Sequence, residues 1–188
     1  MVKYICNLGK FCENDVKAKG SEIMFALGDK IVYGSEGVYT VSEYTRSPFD
    51  NKDERVFYLL RPLHGSASNM IVTPAEGGST VMREIMTHDE ALALIERIPE
   101  IEEVTVEKER LRRDVYREVL RLATADNFVS LIKTVRARRE VFMAQKRRLS
   151  EADTDFESRA KHCLFGELSV VLDITVDEAE RLILEKLD

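Results

Sequence analysis

Side chains able to do bond-making chemistry are few and scattered along the 188 residues. His64 falls in a turn, His88 at a helix start and His162 inside a helical stretch. Catalysis needs a nucleophile, base or metal set brought together, and nothing in the spacing gathers such a set around His88. Cys163 follows His162 on an apolar helical stripe, which reads as a core position rather than a reactive thiolate. Cys6 and Cys12 are six apart with no His or further Cys beside them, unlike the tighter pairs of zinc sets, so no metal is expected. Gly77-Gly78-Ser79-Thr80 lacks the Gly-Lys-Ser/Thr ending of a phosphate cradle and opens no long helix, so it reads as a turn. The expectation is a protein that is not an enzyme, with no cofactor and no small-molecule substrate.

Cations form the stronger signal. The formal net charge of −6 argues against a polyanionic partner only when read globally. Residues 107–148 hold thirteen Lys and Arg against six Asp and Glu, a local balance of +7. Residues 149–188 hold four against eleven, a balance of −7. Because phosphate attraction fades over roughly 10 Å in salt, the local block is what a polyanion meets. The same residues also fit solvated helix faces paired with neighbouring Glu.

Composition excludes several classes. With 44% apolar and 33% charged residues the chain has the makings of a globular core, not of a disordered or collagen-like chain. No uncharged stretch is long enough for a bilayer, and no apolar run of signal-peptide length follows Lys3 or Lys10. Three cysteines cannot build a disulfide framework, so a cytoplasmic location without a membrane partner is expected.

Three segments must position these groups. Residues 1–23 show no sustained period and read as an N-terminal extension. Residues 24–86 carry five short strands separated by Gly, Pro, Asn and Asp: Lys30–Tyr33, Val38–Tyr44, Arg55–Arg61, Met70–Thr73 and Val81–Ile85. Without intervening helices they predict an antiparallel sheet curled into a small barrel, marginal alone at roughly sixty residues and therefore leaning on the C-terminal half of the chain. Residues 87–188 change to a helical period. Thr87 with Glu90, Ser150 with Asp153, and Thr175 with Glu178 read as helix starts, and Asp126 as a further cap. The expected apolar stripes are Leu92, Ile95 and Ile98; Leu111, Val115, Val119 and Leu122; Phe128, Leu131, Ile132, Val135 and Phe142; Phe156, Ala160, Cys163, Leu164, Leu168 and Val171; and Leu182, Ile183 and Leu187. Pro99 should stop the first helix. The fold class is α+β, a small barrel followed by an all-α bundle of about five helices.

The run Phe25-Ala26-Leu27-Gly28-Asp29-Lys30-Ile31-Val32-Tyr33 with Gly37 resembles the opening of the CarD/CdnL family of bacterial transcription regulators. Thr45-Arg46, Phe57-Tyr58-Leu59-Leu60, Val72-Thr73-Pro74-Ala75-Glu76, Arg121–Asp126, Leu149–Ala152 and Gly166-Glu167-Leu168 fit the pattern in order and spacing. The likeness spans roughly residues 24–187. It implies a Tudor/SH3-like barrel that docks on the β subunit of RNA polymerase, and a helical half that meets promoter DNA at the upstream edge of the bubble, altering open-complex lifetime.

Carried onto this chain, the resemblance puts the polymerase contact at Arg46 and the strand Met70, Ile71, Val72 and Thr73, ending at Pro74. A second family arginine of that surface falls at Val72, which implies a more apolar interface. DNA contact is expected at Arg110, Leu111, Arg112 and Arg113, with Arg136, Arg138, Arg139, Lys146, Arg147 and Arg148 adding phosphate attraction. Family members carry a Trp wedge near Leu111; this chain has no Trp, and Leu111 fits either a smaller wedge or the helix's core stripe. The missing Trp keeps open the alternative of an interaction adaptor of the transcription machinery without DNA contact.

Overall fold

The computed structural model describes residues 25–46, 55–66 and 68–187; the expectations placed on residues 1–23, with Cys6 and Cys12, lie outside them. Five strands come first: β1 (Lys30–Tyr33), β2 (Gly37–Arg46), β3 (Val56–Pro62), β4 (Ile71–Pro74) and β5 (Met82–Glu84). They pair antiparallel in the order β4-β3-β2-β1-β5, so the chain meanders outward and then returns to place β5 beside β1. Alternation drives this sheet: Ile31, Tyr39, Val41, Val56, Tyr58 and Leu60 gather with Phe25 and Ala75 in one core. A bulge between Val41 and Glu43 increases the curl of β2, and there the Ser42 hydroxyl donates to the Leu59 carbonyl at 3.0 Å. Strand pairing does not close the sheet, and β4 and β5 are its edges.

Five helices follow: α1 (His88–Arg97), α2 (Arg112–Leu122), α3 (Ala125–Ala144), α4 (Glu151–Leu172) and α5 (Val176–Leu187). None is long and apolar enough to cross a membrane. Thr87 caps α1, its N–H donating to Glu90 at 2.7 Å while the Glu90 N–H donates back to the hydroxyl at 3.3 Å. Thr175 and Glu178 repeat the box at α5, and the Ser150 hydroxyl accepts from the Asp153 N–H at α4. The cap of α3 is Thr124, not Asp126. Thr124 holds the extended backbone a cap requires, whereas Asp126 lies in the first turn and grips Arg97 at 2.6 and 2.8 Å. α1 ends one residue before a 3-10 turn containing Pro99, and the Lys133 ammonium donates to the carbonyls of Ile98, Pro99 and Ile101 there.

The capping carboxylates give a pH prediction. Backbone and hydroxyl hydrogen bonds from Thr87 and Thr175 hold Glu90 and Glu178 below their ordinary value of 4.5. A lowered folded pKa contributes stability that is full above 4.5 and is lost as pH falls through the folded value. Glu90→Gln and Glu178→Gln together should therefore lower stability at neutrality and flatten the stability profile below that pH. Denaturant midpoints measured between neutral pH and the onset of acid unfolding check this; a slope identical to the parent's would exclude it.

Two helical stripes are offset from the periodic reading. α1 buries Ala91, Leu94 and Ile95, leaving Leu92 exposed. α2 buries Arg112, Tyr116 and Leu120, while Leu111 and Leu122 are exposed and Val115 and Val119 half-buried. The α3 and α4 stripes match their assignments apart from half-buried Phe142 and Val171; in α5 Ile183 is buried, Leu187 half-buried and Leu182 exposed.

α4 joins the two halves. Glu167, fully buried, receives both guanidinium nitrogens of Arg83 at 2.6 and 2.7 Å and the Met86 N–H at 2.9 Å. His64 Nε2 lies 3.1 Å from both the Gly166 carbonyl and the Ser169 hydroxyl, and Arg159 donates to Ser35 at 2.6 Å. Gly37 has φ +109°, and a Cβ there would stand 3.1 Å from His162 Nε2, so the turn needs glycine both for its backbone and for the approach of α4.

Candidate docking and nucleic-acid surfaces

Among the described residues β4 pairs with β3 alone and presents its other side as an edge. Ala75 donates its N–H to the Val56 carbonyl at 2.9 Å, so ladder alternation turns the backbone groups of Val72 and Pro74 outward. Pro74 has no N–H to offer, which leaves Val72 as the residue with both groups available and keeps the edge short. Met70 precedes the strand and is exposed, as is the Val72 side chain; Ile71 is half-buried and Thr73 buried, its hydroxyl 3.4 Å from that of Tyr33. Arg46 ends β2, exposed and opposite Val56, so it stands at the same end of the sheet as Pro74. The other edge is less open. A groove of about 710 Å³ runs from β5 to the starts of α1 and α3, but Arg83 already donates to the Glu84 carbonyl there at 3.0 Å.

The basic block divides in two. Arg112 is 9% exposed and belongs to the interior: its Nε donates to Asp153 at 2.8 Å and its Nη1 to Glu109. Arg138 also binds Glu109, with its buried Nε 3.4 Å from Asp153. Two arginines thus enclose two carboxylates beside Tyr116, whose ring meets Phe156 edge-on. Burial, reinforced by Asp153, pushes the Tyr116 hydroxyl pKa up. Arg139 grips the buried Glu157, whose hydrogen bonds raise the guanidinium's pKa further. Arg112, Arg138 and Arg139, expected at phosphate, are thus already paired with carboxylates, Arg112 buried and the other two half-buried. The reason is desolvation: a buried carboxylate must be paired, and these are the nearest cations.

Most of the other residues expected at phosphate face solvent. Arg110 and Arg113 flank Leu111, itself 43% exposed, in the 3-10 turn that leads into α2. Leu111 thus does not belong to the core stripe. Lys146, Arg147 and Arg148 follow the C-terminus of α3 and are exposed, and Arg136 is half-buried on α3. Arg110, Arg113, Lys146 and Arg148 make no ion pair among the described residues.

The residues considered for catalysis are apart in role. His64 serves the sheet–helix contact, His162 packs at Gly37, and His88 lies 3.9 Å from its exposed neighbour Asp89. Cys163 is fully buried, and burial followed by the charge of Glu36 pushes its thiol up to about 12, far from a thiolate at neutral pH. Gly77 and Gly78 lie in the exposed connection between β4 and β5. No group of three or more His, Cys, Asp and Glu suited to a metal occurs among the described residues. Glu109, Asp153 and Glu157 are ion-pair partners missed from sequence; the only signal was Asp153 three residues after Ser150, which marked a helix start and not an ion pair. No family model matches the chain, and a search of the curated proteins finds no match.

Proposed function

We propose that this chain is a non-enzymatic transcription regulator that docks through its sheet on the RNA polymerase β subunit and touches promoter DNA through its helical half. The strand order, with β5 returning beside β1, supports reading the sheet as a partly open Tudor/SH3-like barrel. The observation that carries the proposal is the exposed Leu111 between Arg110 and Arg113, on a body whose β4 edge is free to accept a strand. An apolar residue flanked by two cations fits the junction where paired bases separate, the leucine against an unstacked step and the guanidiniums on phosphate. Few such contacts hold free DNA weakly, so docking supplies the effective concentration. The resemblance to the CarD/CdnL family supplies the polymerase.

Arg46→Glu combined with Val72→Lys should abolish capture of the polymerase β subunit while the circular dichroism of the helices stays unchanged. Capture equal to the parent's counts against docking. A second reading, an adaptor that docks without touching DNA, draws on the pairing of Arg112, Arg138 and Arg139 with carboxylates of the bundle. Open-complex lifetime with Arg110→Glu/Arg113→Glu separates the two: a shortened or lengthened lifetime supports DNA contact, and an unchanged one supports the adaptor.

A further inference from the structure

α3 ends in a cationic and apolar tip distinct from the Leu111 turn. Its last turn exposes Val141 at 55% and Met143 at 67%, the two most exposed large apolar side chains among the described residues. The helix then closes with Lys146 in the left-handed conformation, φ +57°, the Lys146 N–H donating to Met143 at 2.9 Å and the Arg147 N–H to Phe142 at 2.8 Å. This is a Schellman closure, in which a hydrophobic contact usually ties the residue after the left-handed position back to the helix. Here the contact is a guanidinium on a ring: Arg147 lies 4.7 Å from the Phe142 centroid, and Arg138 lies 4.7 Å from the same ring. The ring contact, with Gln145 Oε1 3.5 Å from Nη1, holds the Arg147 guanidinium without a carboxylate, and Lys146 and Arg148 on either side are exposed. Glu140 and Glu151 are the nearest acids along the chain.

We infer that this tip binds single-stranded nucleic acid, with bases lying on Met143, Val141 and the stacked Arg147 while Lys146 and Arg148 meet the backbone. The inference rests on the proposed nucleic-acid reading of the helical half and fixes which form of nucleic acid the tip takes. Charge selects a polyanion. Exposed Val and Met select unstacked bases, because a duplex would offer phosphates alone and leave both apolar side chains in water. A stacked guanidinium presents a flat face on which every base fits, so the site is indifferent to sequence.

The test uses the full chain, fluorescence anisotropy and two probes, labelled oligothymidine and a labelled duplex. Val141→Ser/Met143→Ser should weaken oligothymidine binding about tenfold and leave duplex binding unchanged, since the lost apolar contact to base faces falls on the single strand alone. Lys146→Gly should raise Tm by about 2–4 °C through relief of the left-handed backbone. The same change should lower the salt slope for oligothymidine by about 0.7. A purely structural role for Lys146 moves only the first of these readouts. Parent-like oligothymidine binding by the Val141/Met143 variant overturns the inference. So does loss of polymerase capture with oligothymidine binding intact, which assigns the tip to an acidic protein surface. Polymerase capture by the parent is scored separately, so failure of the docking reading leaves the tip's result interpretable.

Discussion

Replacing Glu167 with alanine is expected to cost about 3–5 kcal/mol, because it removes one partner of a buried ion pair and leaves the other unmatched. The carboxylate is fully buried and accepts three donors, two from Arg83 and one from the Met86 backbone. Arg83 keeps a side-chain exposure of 25%, so water can take up part of its orphaned charge, which places the effect toward the lower bound. The Met86 N–H loses its side-chain acceptor as well. Glu167→Gln retains an acceptor for Met86 while losing the charge opposite Arg83, so it should fall between parent and alanine. Urea midpoints give the order parent, Gln, Ala; an alanine variant within about 0.5 kcal/mol of the parent, the range of neutral surface changes, would show that the bridge carries nothing. Against a total stability of about 5–15 kcal/mol, the expected loss is large enough to thin the folded population at physiological temperature.

Arg112→Glu is the second large effect, again about 3–5 kcal/mol or more. Arg112 is inside the bundle, and a glutamate there would meet Asp153 and Glu109 with no cation but Arg138 to balance three carboxylates. Arg113, one residue on, is exposed. Arg113→Glu should therefore leave thermal stability within about 0.5 kcal/mol of the parent, while acting on nucleic-acid contact. The pair is diagnostic because adjacent substitutions of the same kind give opposite readouts. Thermal melts of the two single variants, measured before any DNA experiment, decide it; equal melting temperatures would contradict the buried assignment of Arg112. A double substitution at both positions would confound unfolding with lost binding.

Local rules made the strands and three helix starts legible. Lys30–Tyr33 occupies the strand assigned to it, and Thr87/Glu90, Ser150/Asp153 and Thr175/Glu178 cap the helices they were expected to open. Each depends on residues within a turn of one another. Thr124 escapes such a reading because Asp126 is also a good capping type, and only the backbone angle at Thr124 separates them. The α2 stripe slips because an apolar count treats arginine as outside. Arg112 faces inward with Tyr116 and Leu120, and its partner Asp153 is 41 positions further along the chain. Pairings at that separation leave no periodic trace. The same limit applies to the candidate site: composition locates the basic block, but which cations are already neutralised depends on α3 and α4 lying side by side. The open β4 edge is legible from its short strand and the proline that ends it.

Gly37 and Gly166 let the sheet and α4 approach until backbone meets histidine, and Arg83, His64 and Arg159 fasten the contact across its length. A joint of this kind ties the two halves at several points rather than one. Whatever seizes the β4 edge thereby also sets the heading of the Leu111 turn, as the handle of a spanner sets its jaw. Removing the Arg83–Glu167 contact, which a tethered pair of modules would not notice, should here let the two ends fall out of alignment.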